Sequence, residues 1–376
     1  MFVNSNHLPQ RLRPEHYMSE EIYQQELEKL FLPGWHCIAA AAQIPHVGDY
    51  RTIDVLGRPL ICWHTSNGFH TYLNVCTHRF STLTDCRQGR AEGRLKCQYH
   101  GWEFDETGNT CKIPDAQSFR PLAKGELGLR EYRTETVGQL IFVSFQENPI
   151  PLHEFLGDEI VALCEDWFGS NGTIIYTIDQ ELNCNWKIVI ENGVESYHIE
   201  TVHPKTFGHY PRCEECRHDF QRNYDHFIHD YTAARLSPST RNERILARLS
   251  GVAPELRYHH LLRYPNVVFG CGAQVGYIQM YWPVTAKLTR GFSLFMFQPG
   301  RRRGIVSKLL HRLVKFNGAP LIRRVISEDA SIVPSIHRGT ASLDRPYGGG
   351  LISIREERIF AFQDRILEAL GEKHPG

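Results

Sequence analysis

Polar and apolar residues alternate in short segments over the first part of the chain. Alternation with a period of two, in segments rich in β-branched and aromatic residues, is typical of strands with one buried face. Turn-forming residues such as Asn67-Gly68 separate the segments YRTIDVL, PLICWHT, FHTYLNV, LKCQYH and QLIFVSF. The pattern predicts a small all-β domain over residues 35–148.

A helical spacing precedes this domain. Between Glu20 and Phe31, apolar residues recur at intervals that place them near one face of a helix, and Pro33-Gly34 then ends the pattern. We therefore predict an N-terminal helical segment, residues 1–34, that packs on the domain at the other end of the chain.

Residues 149–376 contain both helical and strand patterns. Pro149 and Pro151 disfavour helix and strand pairing, so they mark a boundary. Helical spacing predicts helices at Glu159–Phe168, Trp186–His198 and Arg355–Leu370. Apolar, β-rich segments predict strands at Thr173–Leu182, Asn266–Cys271, Gln274–Trp282 and Phe292–Gln298. The chain as a whole is predicted to be of the α+β class.

Composition excludes several classes of partner. The chain has 376 residues, with 42 basic and 42 acidic side chains, so no overall charge favours nucleic acid or an anionic membrane. No apolar run approaches the roughly 20 residues that cross a bilayer, and residues 1–13 lack the apolar stretch of a signal peptide. We expect a cytoplasmic protein whose 11 cysteines include metal ligands and buried thiols.

Two Cys/His pairs, Cys76-x-His78 and Cys97-x-x-His100, are spaced as metal ligands. Tetrahedral zinc is one possible occupant, although zinc motifs usually pair like residues. A thiolate paired with an imidazole suits a 2Fe-2S cluster in which two cysteines bind one iron and two histidines the other. The flanking residues, HR in the first pair and YHGW in the second, resemble the Rieske cluster motif. By this resemblance Cys76 and Cys97 bind one iron, and His78 and His100 bind the other.

A second ligand set lies downstream. On a helix Glu195 and His198 would share a face, while His203, followed by Pro204, would lie where that helix bulges or ends. Two imidazoles and one carboxylate form the site that leaves positions of a non-haem Fe(II) open for oxygen and substrate. The acidic pair Glu328-Asp329 is the candidate source of the carboxylate.

Together the two motifs resemble the oxygenase (alpha) subunits of Rieske non-haem iron oxygenases over nearly the whole chain. The N-W-K, E-x-Y-H and V-H-P elements match that family's iron motif. The resemblance implies a Rieske domain over residues 35–148 and a catalytic domain of the helix-grip type over residues 149–376, with an antiparallel sheet and a C-terminal helix. It also implies that His198, His203 and Asp329 bind one mononuclear Fe(II).

The same resemblance implies a path for electrons. Members of the family form cyclic trimers in which an acidic residue links the cluster of one subunit to the iron of the next. Here Glu195 would be this catalytic bridge, between His198 and His100 of the partner subunit in a homotrimer. Many members have aspartate at this position, and the glutamate is similar to the branch that oxidises quaternary ammonium compounds such as carnitine.

The predicted function is oxygen activation at the mononuclear iron and monooxygenation of a small organic substrate, by hydroxylation or oxidative N-dealkylation. The chain has no Gly-rich dinucleotide fingerprint, so electrons from NAD(P)H would arrive through a separate reductase of the flavin or ferredoxin type. Aromatic-ring dioxygenation is the alternative within the class. A Rieske electron carrier without oxygenase activity and a structural zinc protein are the alternatives outside it. Cys213 and Cys216 form a further metal-like pair that none of these interpretations uses.

Overall fold

A computed structural model describes residues 2–123, 125–207, 209–231, 238–252, 257–272, 274–300, 304–342 and 350–372. The chain forms two compact units. One comprises Leu32–Asp166, and the other comprises Met1–Phe31 together with Trp167–Gly376. The domain bounds that the sequence suggests, 1–34, 35–148 and 149–376, stay predictions.

Strands dominate the unit Leu32–Asp166, whereas the other unit contains both strands and helices. In chain order the helices are α1 (Pro14–Met18), α2 (Glu20–Glu26), α3 (Leu152–Leu156), α4 (Asp158–Trp167), α5 (Trp186–Gly193), α6 (Ile199–Val202), α7 (Pro238–Leu249), α8 (Gly304–Thr340) and α9 (Glu357–Leu370). The strands are β1 (Leu8–Pro9), β2 (Trp35–Ala40), β3 (Asp49–Val55), β4 (Arg58–Thr65), β5 (Gly68–Leu73), β6 (Gln88–Arg90), β7 (Arg94–Lys96), β8 (Glu103–Asp105), β9 (Thr110–Lys112), β10 (Glu131–Val137), β11 (Leu140–Ser144), β12 (Thr173–Leu182), β13 (Cys216–Phe220), β14 (Tyr224–Asp230), β15 (Arg257–Arg263), β16 (Val267–Cys271), β17 (Val275–Thr285), β18 (Leu288–Phe297) and β19 (Leu351–Ile352).

In the unit Leu32–Asp166, a seven-stranded antiparallel sheet has the order β2-β11-β10-β5-β4-β3-β6, and a small sheet has the order β7-β8-β9. Turn chemistry fixes the register. Val55 pairs with Arg58, which leaves Leu56 and Gly57 as a two-residue loop with φ of 50° and 75°. Loops of this kind follow the right-handed twist of paired strands, so the alternating segments close into hairpins. The predicted all-β character of residues 35–148 is confirmed, and helices α3 and α4 follow that range.

In the other unit, a seven-stranded antiparallel sheet has the order β12-β18-β17-β16-β15-β14-β13. Strands β13 to β18 follow one another as a meander, and β18 also pairs with β12, the first strand of this sheet in the chain. The long helix α8 packs on this sheet through Leu310 and Val314, which join a buried cluster with Ile175, Phe295 and Phe297. An antiparallel sheet with a C-terminal helix is what the predicted helix-grip fold requires.

Strand β17 has one buried face and one half-buried face. Its buried residues include Ile278, Met280 and Trp282, while Tyr277 and Tyr281, at alternate positions, are half-buried. Successive side chains of a strand point to opposite faces, so these tyrosines share a face that the core leaves free. That face lines the cavity described below.

The N-terminal segment is fixed to α5 by buried polar contacts. Glu26 accepts hydrogen bonds from Trp186 Nε1 at 2.8 Å and from Lys187 Nζ at 2.5 Å, and the carboxylate and the ammonium are both buried. Phe31 packs edge-on against Trp186, with ring centroids 4.8 Å apart. The segment thus packs on the unit that contains α5.

The helices depart from the prediction in several places, and two of the differences, at α5 and α8, concern the site described below. The helix expected over Trp186–His198 ends at Gly193, because the Glu195 carboxylate accepts backbone N–H groups of the following turn and so competes with further helical bonds. The long helix α8 is absent from the sequence-based assignment, since Pro320 and Pro334 lie inside it and proline normally ends a helix. Among the described residues, no helix combines the length and apolar character needed to cross a membrane.

Glu191 on α5 gives this unit a predictable pH dependence. Burial raises the pKa of its carboxyl group from 4.5 to about 7, although Tyr17 and Gln363 donate hydrogen bonds to it at 2.6 and 2.8 Å. The folded chain therefore holds this proton at pH values where the unfolded chain has lost it. The free energy of unfolding should fall as pH rises from about 4.5 to about 7.

Glu191→Gln should remove this fall, because glutamine has no proton to lose. At pH 8 we expect the variant to exceed the wild type in unfolding free energy by on the order of 1–3 kcal/mol. Urea unfolding at pH 5, 6, 7 and 8 measures the effect, with the exposed Glu368→Gln as the charge-matched control. Parallel pH profiles for wild type and Glu191→Gln would contradict the assignment.

Two candidate metal centres

The first centre lies in two loops of similar geometry. The Cys76 N–H donates to the carbonyl five residues later at 2.8 Å, and the Cys76 carbonyl accepts from Phe80 N–H at 2.9 Å. Cys97 repeats both contacts, with the carbonyl five residues later at 2.8 Å and with Gly101 N–H at 3.1 Å. Each cysteine therefore opens a tight turn, and the paired loops present one Cys/His pair each.

Both loops need a left-handed backbone at the fifth position. Gly101 adopts φ of 73° and Phe80 adopts φ of 62°. Glycine populates this region freely, whereas a bulky side chain there is rare and strained. Phe80 is also 80% exposed, so no packing of this side chain within the chain offsets the strain.

The four candidate ligands of the first centre differ in burial, with the cysteines more buried than the histidines. Cys76 and Cys97 are buried, whereas His78 is half-buried and His100 is exposed. The two imidazole rings lie 4.7 Å apart, and the His78 ring stacks parallel to the Trp102 indole at 4.9 Å. Thiols lie inside and imidazoles outside, the separation that a cluster with a two-cysteine iron and a two-histidine iron requires.

Without a metal ion, the Cys76 thiol is held in its protonated form. Burial, together with the neighbouring Cys97 thiol, raises the pKa of Cys76 to about 11. Thiols held this close are stabilised as thiolates by a metal ion, which displaces their protons on binding. A single tetrahedral zinc would need all four donor atoms within roughly 4 Å of one another. Among the described residues, no three such atoms of the Cys/His set lie within 4.8 Å of one another, so this set is too open for a single tetrahedral ion.

The second centre is formed by His198, His203 and Asp329. Each offers one ligand atom, and these atoms lie within 4.8 Å of one another. Asp329 Oδ1 is 2.9 Å from His203 Nε2 and 3.6 Å from His198 Nε2. The histidines flank the single turn of α6, and the aspartate comes from α8. Two imidazoles and one carboxylate converge here, as a mononuclear non-haem iron requires.

A carboxylate lies beside the outer nitrogen, Nδ1, of each imidazole. Glu195 Oε1 contacts His198 Nδ1, and Glu328 Oε2 lies 2.8 Å from His203 Nδ1. A carboxylate at Nδ1 leaves Nε2 as the metal-binding nitrogen and fixes the ring. Burial disfavours a charged His203, but its hydrogen bonds to the Asp329 and Glu328 carboxylates outweigh this effect, so the pKa of the imidazole is raised.

The structure separates the roles of the adjacent acids on α8. Glu328 also accepts hydrogen bonds from Thr206 Oγ1 and Arg324 Nε, both at 2.9 Å, so its oxygens are used away from the ligand atoms. Asp329 faces both Nε2 atoms and accepts a bond from Asn192 Nδ2 at 3.1 Å. The sequence did not indicate Asn192, because its contact spans 137 residues of chain and no spacing records it.

Both carboxylate oxygens of Glu195 make hydrogen-bond contacts within its own chain. While Oε1 contacts His198, Oε2 accepts the backbone N–H groups of Tyr197 and His198. The carboxylate therefore braces the turn that carries the first histidine. These bonds replace the shared helical face that the sequence suggested for Glu195 and His198.

A cavity of about 1220 Å³ opens onto the triad. Its wall on α8 is largely apolar, and its wall on the sheet carries aromatic and polar groups, including Tyr258, Tyr277 and Gln279. Such a cavity is larger than a typical small-molecule site of roughly 300–1,000 Å³.

The further cysteine pair of the sequence, Cys213 and Cys216, lies outside both ligand sets. Burial raises the pKa of the Cys216 thiol to about 12, so this thiol is unreactive.

Comparison with known proteins gives two family matches. The ring hydroxylating alpha subunit family (catalytic domain) matches residues 171–372, and the Rieske 2Fe-2S domain matches residues 34–133. The alpha subunit of 2-aminobenzenesulfonate 2,3-dioxygenase from Alcaligenes sp. is 30% identical over 201 residues, 50% of either chain. The chain thus spans about half the length of the curated relatives it matches.

Two solved structures share the fold over nearly the full chain. The quaternary ammonium Rieske monooxygenase CntA, in complex with its substrate L-carnitine, is 20% identical with a TM-score of 0.74, covering 96% of this chain and 95% of that one. Naphthalene 1,2-dioxygenase is 20% identical with a TM-score of 0.74, covering 97% and 93%. The resemblance, the fold class and the two cofactors, a Rieske 2Fe-2S cluster and a mononuclear non-haem iron, are confirmed.

Proposed function

This chain belongs to the ring hydroxylating alpha subunit family, with a Rieske domain before its catalytic domain, and from this premise we propose that it is the oxygenase component of a Rieske oxygenase. The observation that carries the proposal is the convergence of His198, His203 and Asp329 at the wall of one large cavity. Three protein ligands leave coordination positions open, whereas a structural metal site is closed.

We assign the ligands as follows: Cys76 and Cys97 to one iron of the cluster, His78 and His100 to the other, and His198, His203 and Asp329 to the mononuclear iron. The cluster supplies single electrons, and the mononuclear Fe(II) supplies the site of oxygen activation. Glu195 and Glu328 hold a proton on the outer nitrogen of each imidazole. Asn192 orients Asp329, and the cavity encloses the substrate.

The proposed reaction is monooxygenation of a small organic substrate, by hydroxylation or oxidative N-dealkylation. Glu195, in place of the more frequent aspartate, supports the quaternary ammonium branch, and Tyr277 and Tyr281 supply rings that can contact a cationic amine. Dioxygenation of an aromatic ring is the second candidate, supported by the 30% identity to a 2,3-dioxygenase subunit. The proposal also includes a separate reductase, NAD(P)H as the electron source, and a homotrimer.

The test is oxygen consumption by the iron-loaded protein with a surrogate reductase and NADH, over a panel of betaines and substituted aromatic acids. Isotopically labelled O2 then counts the oxygen atoms in the product. One labelled atom supports monooxygenation and two support dioxygenation. No substrate-dependent consumption, from protein with both metal centres filled, would refute the oxygenase proposal.

The cluster assignment has its own test. Cys97→Ser should abolish the visible absorption and the low-average-g electron resonance signal of the reduced protein, because one iron loses a thiolate. Cys86→Ser is the matched control, since this exposed thiol lies in the same region outside the ligand set. A normal spectrum for Cys97→Ser would show that another residue binds this iron.

A further inference from the structure

Three arginines line the cavity at the triad, and they differ in their electrostatic state. Arg212 forms an ion pair with Glu214, at 3.6 Å. Arg358 is buried and forms an ion pair with Asp225, so a carboxylate of the chain neutralises it. Arg355, three residues earlier, also lines the cavity. Its neighbours determine whether it is available to a ligand.

Neutral groups hold the Arg355 guanidinium in place. Nη1 donates to the Pro211 carbonyl at 2.6 Å, and Nη2 contacts Cys213 Sγ at 3.6 Å. The guanidinium carbon lies 4.3 Å from the centre of the Tyr210 ring and 5.6 Å from that of Phe2. Among the described residues, no carboxylate forms an ion pair with this side chain. The positive charge is oriented but not neutralised.

The carboxylates of the same cavity have other neighbours. Glu200 lies 3.3 Å from His209 Nδ1, and Glu215 lies 3.7 Å from His229 Nε2. Glu195 and Asp329 belong to the triad region, where imidazoles face them. Arg355 is therefore the cavity cation that the described carboxylates leave without a counter-charge.

Ring contacts lead from Arg355 to a residue next to the iron ligands. The Tyr210 ring that stacks on it lies 6.4 Å from the ring of Tyr197, and Tyr197 directly precedes His198. Two ring contacts thus connect the guanidinium to the residue beside the first iron ligand. The wall of the cavity on α8 is apolar at Ile322, Val325 and Ile326.

We propose that Arg355 binds an anionic group of the substrate, a carboxylate or a sulfonate, and so places the apolar or reacting part against α8 and the triad. The inference rests on the oxygenase function proposed above. A guanidinium in a partly dehydrated cavity gains most from an anion that accepts its free N–H groups, because charge-assisted bonds are stronger there than neutral ones. Arg355 would then determine specificity for acidic substrates.

The test uses two probes of nearly equal shape, 2-aminobenzenesulfonate and its uncharged amide, 2-aminobenzenesulfonamide. Calorimetric titration of the metal-loaded protein at low salt measures binding without turnover. For the wild type we expect tighter binding of the sulfonate by at least about tenfold. Arg355→Gln should weaken sulfonate binding by at least about tenfold and leave sulfonamide binding within about threefold.

Two further variants control for charge and geometry. Arg338→Gln removes one exposed positive charge from α8, outside the cavity lining, and should bind both probes like the wild type. Arg355→Lys keeps the charge without the planar fork and should retain part of the preference. The preference of the wild type, and its decrease with added salt, tests the proposal even if Arg355→Gln does not fold.

Equal affinity of the wild type for the two probes overturns the inference, as does sulfonate binding in Arg355→Gln that matches the wild type. No detectable sulfonate binding to the wild type at about 10 mM also overturns it. These failures are distinct from failure of the oxygenase proposal. A selective anion site in a protein that consumes no oxygen would refute only that proposal, and oxygenase activity without dependence on Arg355 would refute only this one.

Discussion

Asp329→Ala is expected to lower the iron content by one atom per chain and to abolish substrate-dependent oxygen consumption, while the Rieske absorption is retained. Asp329 Oδ1 is the acidic oxygen that faces both ligand nitrogens, at 2.9 Å from His203 Nε2 and 3.6 Å from His198 Nε2. Without it two imidazoles remain, too few to hold the metal against dilution. Iron analysis after gel filtration, together with the visible spectrum, measures both parts of the expectation.

Glu328→Ala is the matched comparison, because the two acids are adjacent on one helix. Its carboxylate holds the outer nitrogen of His203, and the loss of such a contact typically weakens metal binding or activity by about 10–100-fold. Excess Fe(II) should therefore restore iron in Glu328→Ala but not in Asp329→Ala. The opposite result, iron retained in Asp329→Ala and lost in Glu328→Ala, would make Glu328 the ligand.

Glu195→Gln should keep both metal centres and lose turnover by on the order of 10–100-fold or more. The carboxylate uses one oxygen at His198 Nδ1 and the other at two backbone N–H groups. Glutamine has a single acceptor oxygen, so it cannot serve His198 and the turn at once, and it carries no charge to favour a second imidazole donor. Reoxidation of the pre-reduced cluster in a single turnover, followed at visible wavelengths, is the decisive measurement.

Glu195→Asp is the control for this experiment, because it keeps the charge and the acceptors on a shorter side chain. We expect it to retain more single-turnover reoxidation than Glu195→Gln. Normal reoxidation in Glu195→Gln would refute the proposed bridge to His100 of the partner subunit. Loss of iron from Glu195→Gln would instead make Glu195 a ligand or an essential support of His198.

The bracing role of Glu195 bears on the bridge. Because both of its oxygens are occupied within one chain, a bond to a second imidazole adds to these contacts or replaces one of them. The pair of variants separates the two roles, since bracing predicts a change in iron affinity and bridging predicts a change in electron transfer alone. Measuring the iron dissociation constant beside the reoxidation rate gives both.

The sequence by itself determined the parts of this protein in which interacting residues are close along the chain. Cys76 and His78, like Cys97 and His100, lie within single turns, so their spacing records their chemistry. Period-two alternation likewise indicated the strands of residues 35–148, and strand β12 has the predicted bounds, Thr173–Leu182. In these cases the sequence pattern and the structural element cover the same short stretch of residues. The pattern therefore predicts the element.

Only the tertiary structure decided the contacts that join distant segments. Glu328 and Asp329 are adjacent, and the rotation of about 100° between successive helical residues directs one to the outer nitrogen of His203 and the other to the inner one. The orientation of α8 against α6 sets that choice, and no spacing encodes it. The same holds for the contact of Asn192 with Asp329 and for the Arg355 guanidinium, which no described carboxylate pairs. It also holds for α8 itself, which continues past Pro320 and Pro334 because packing on the sheet outweighs the local preference.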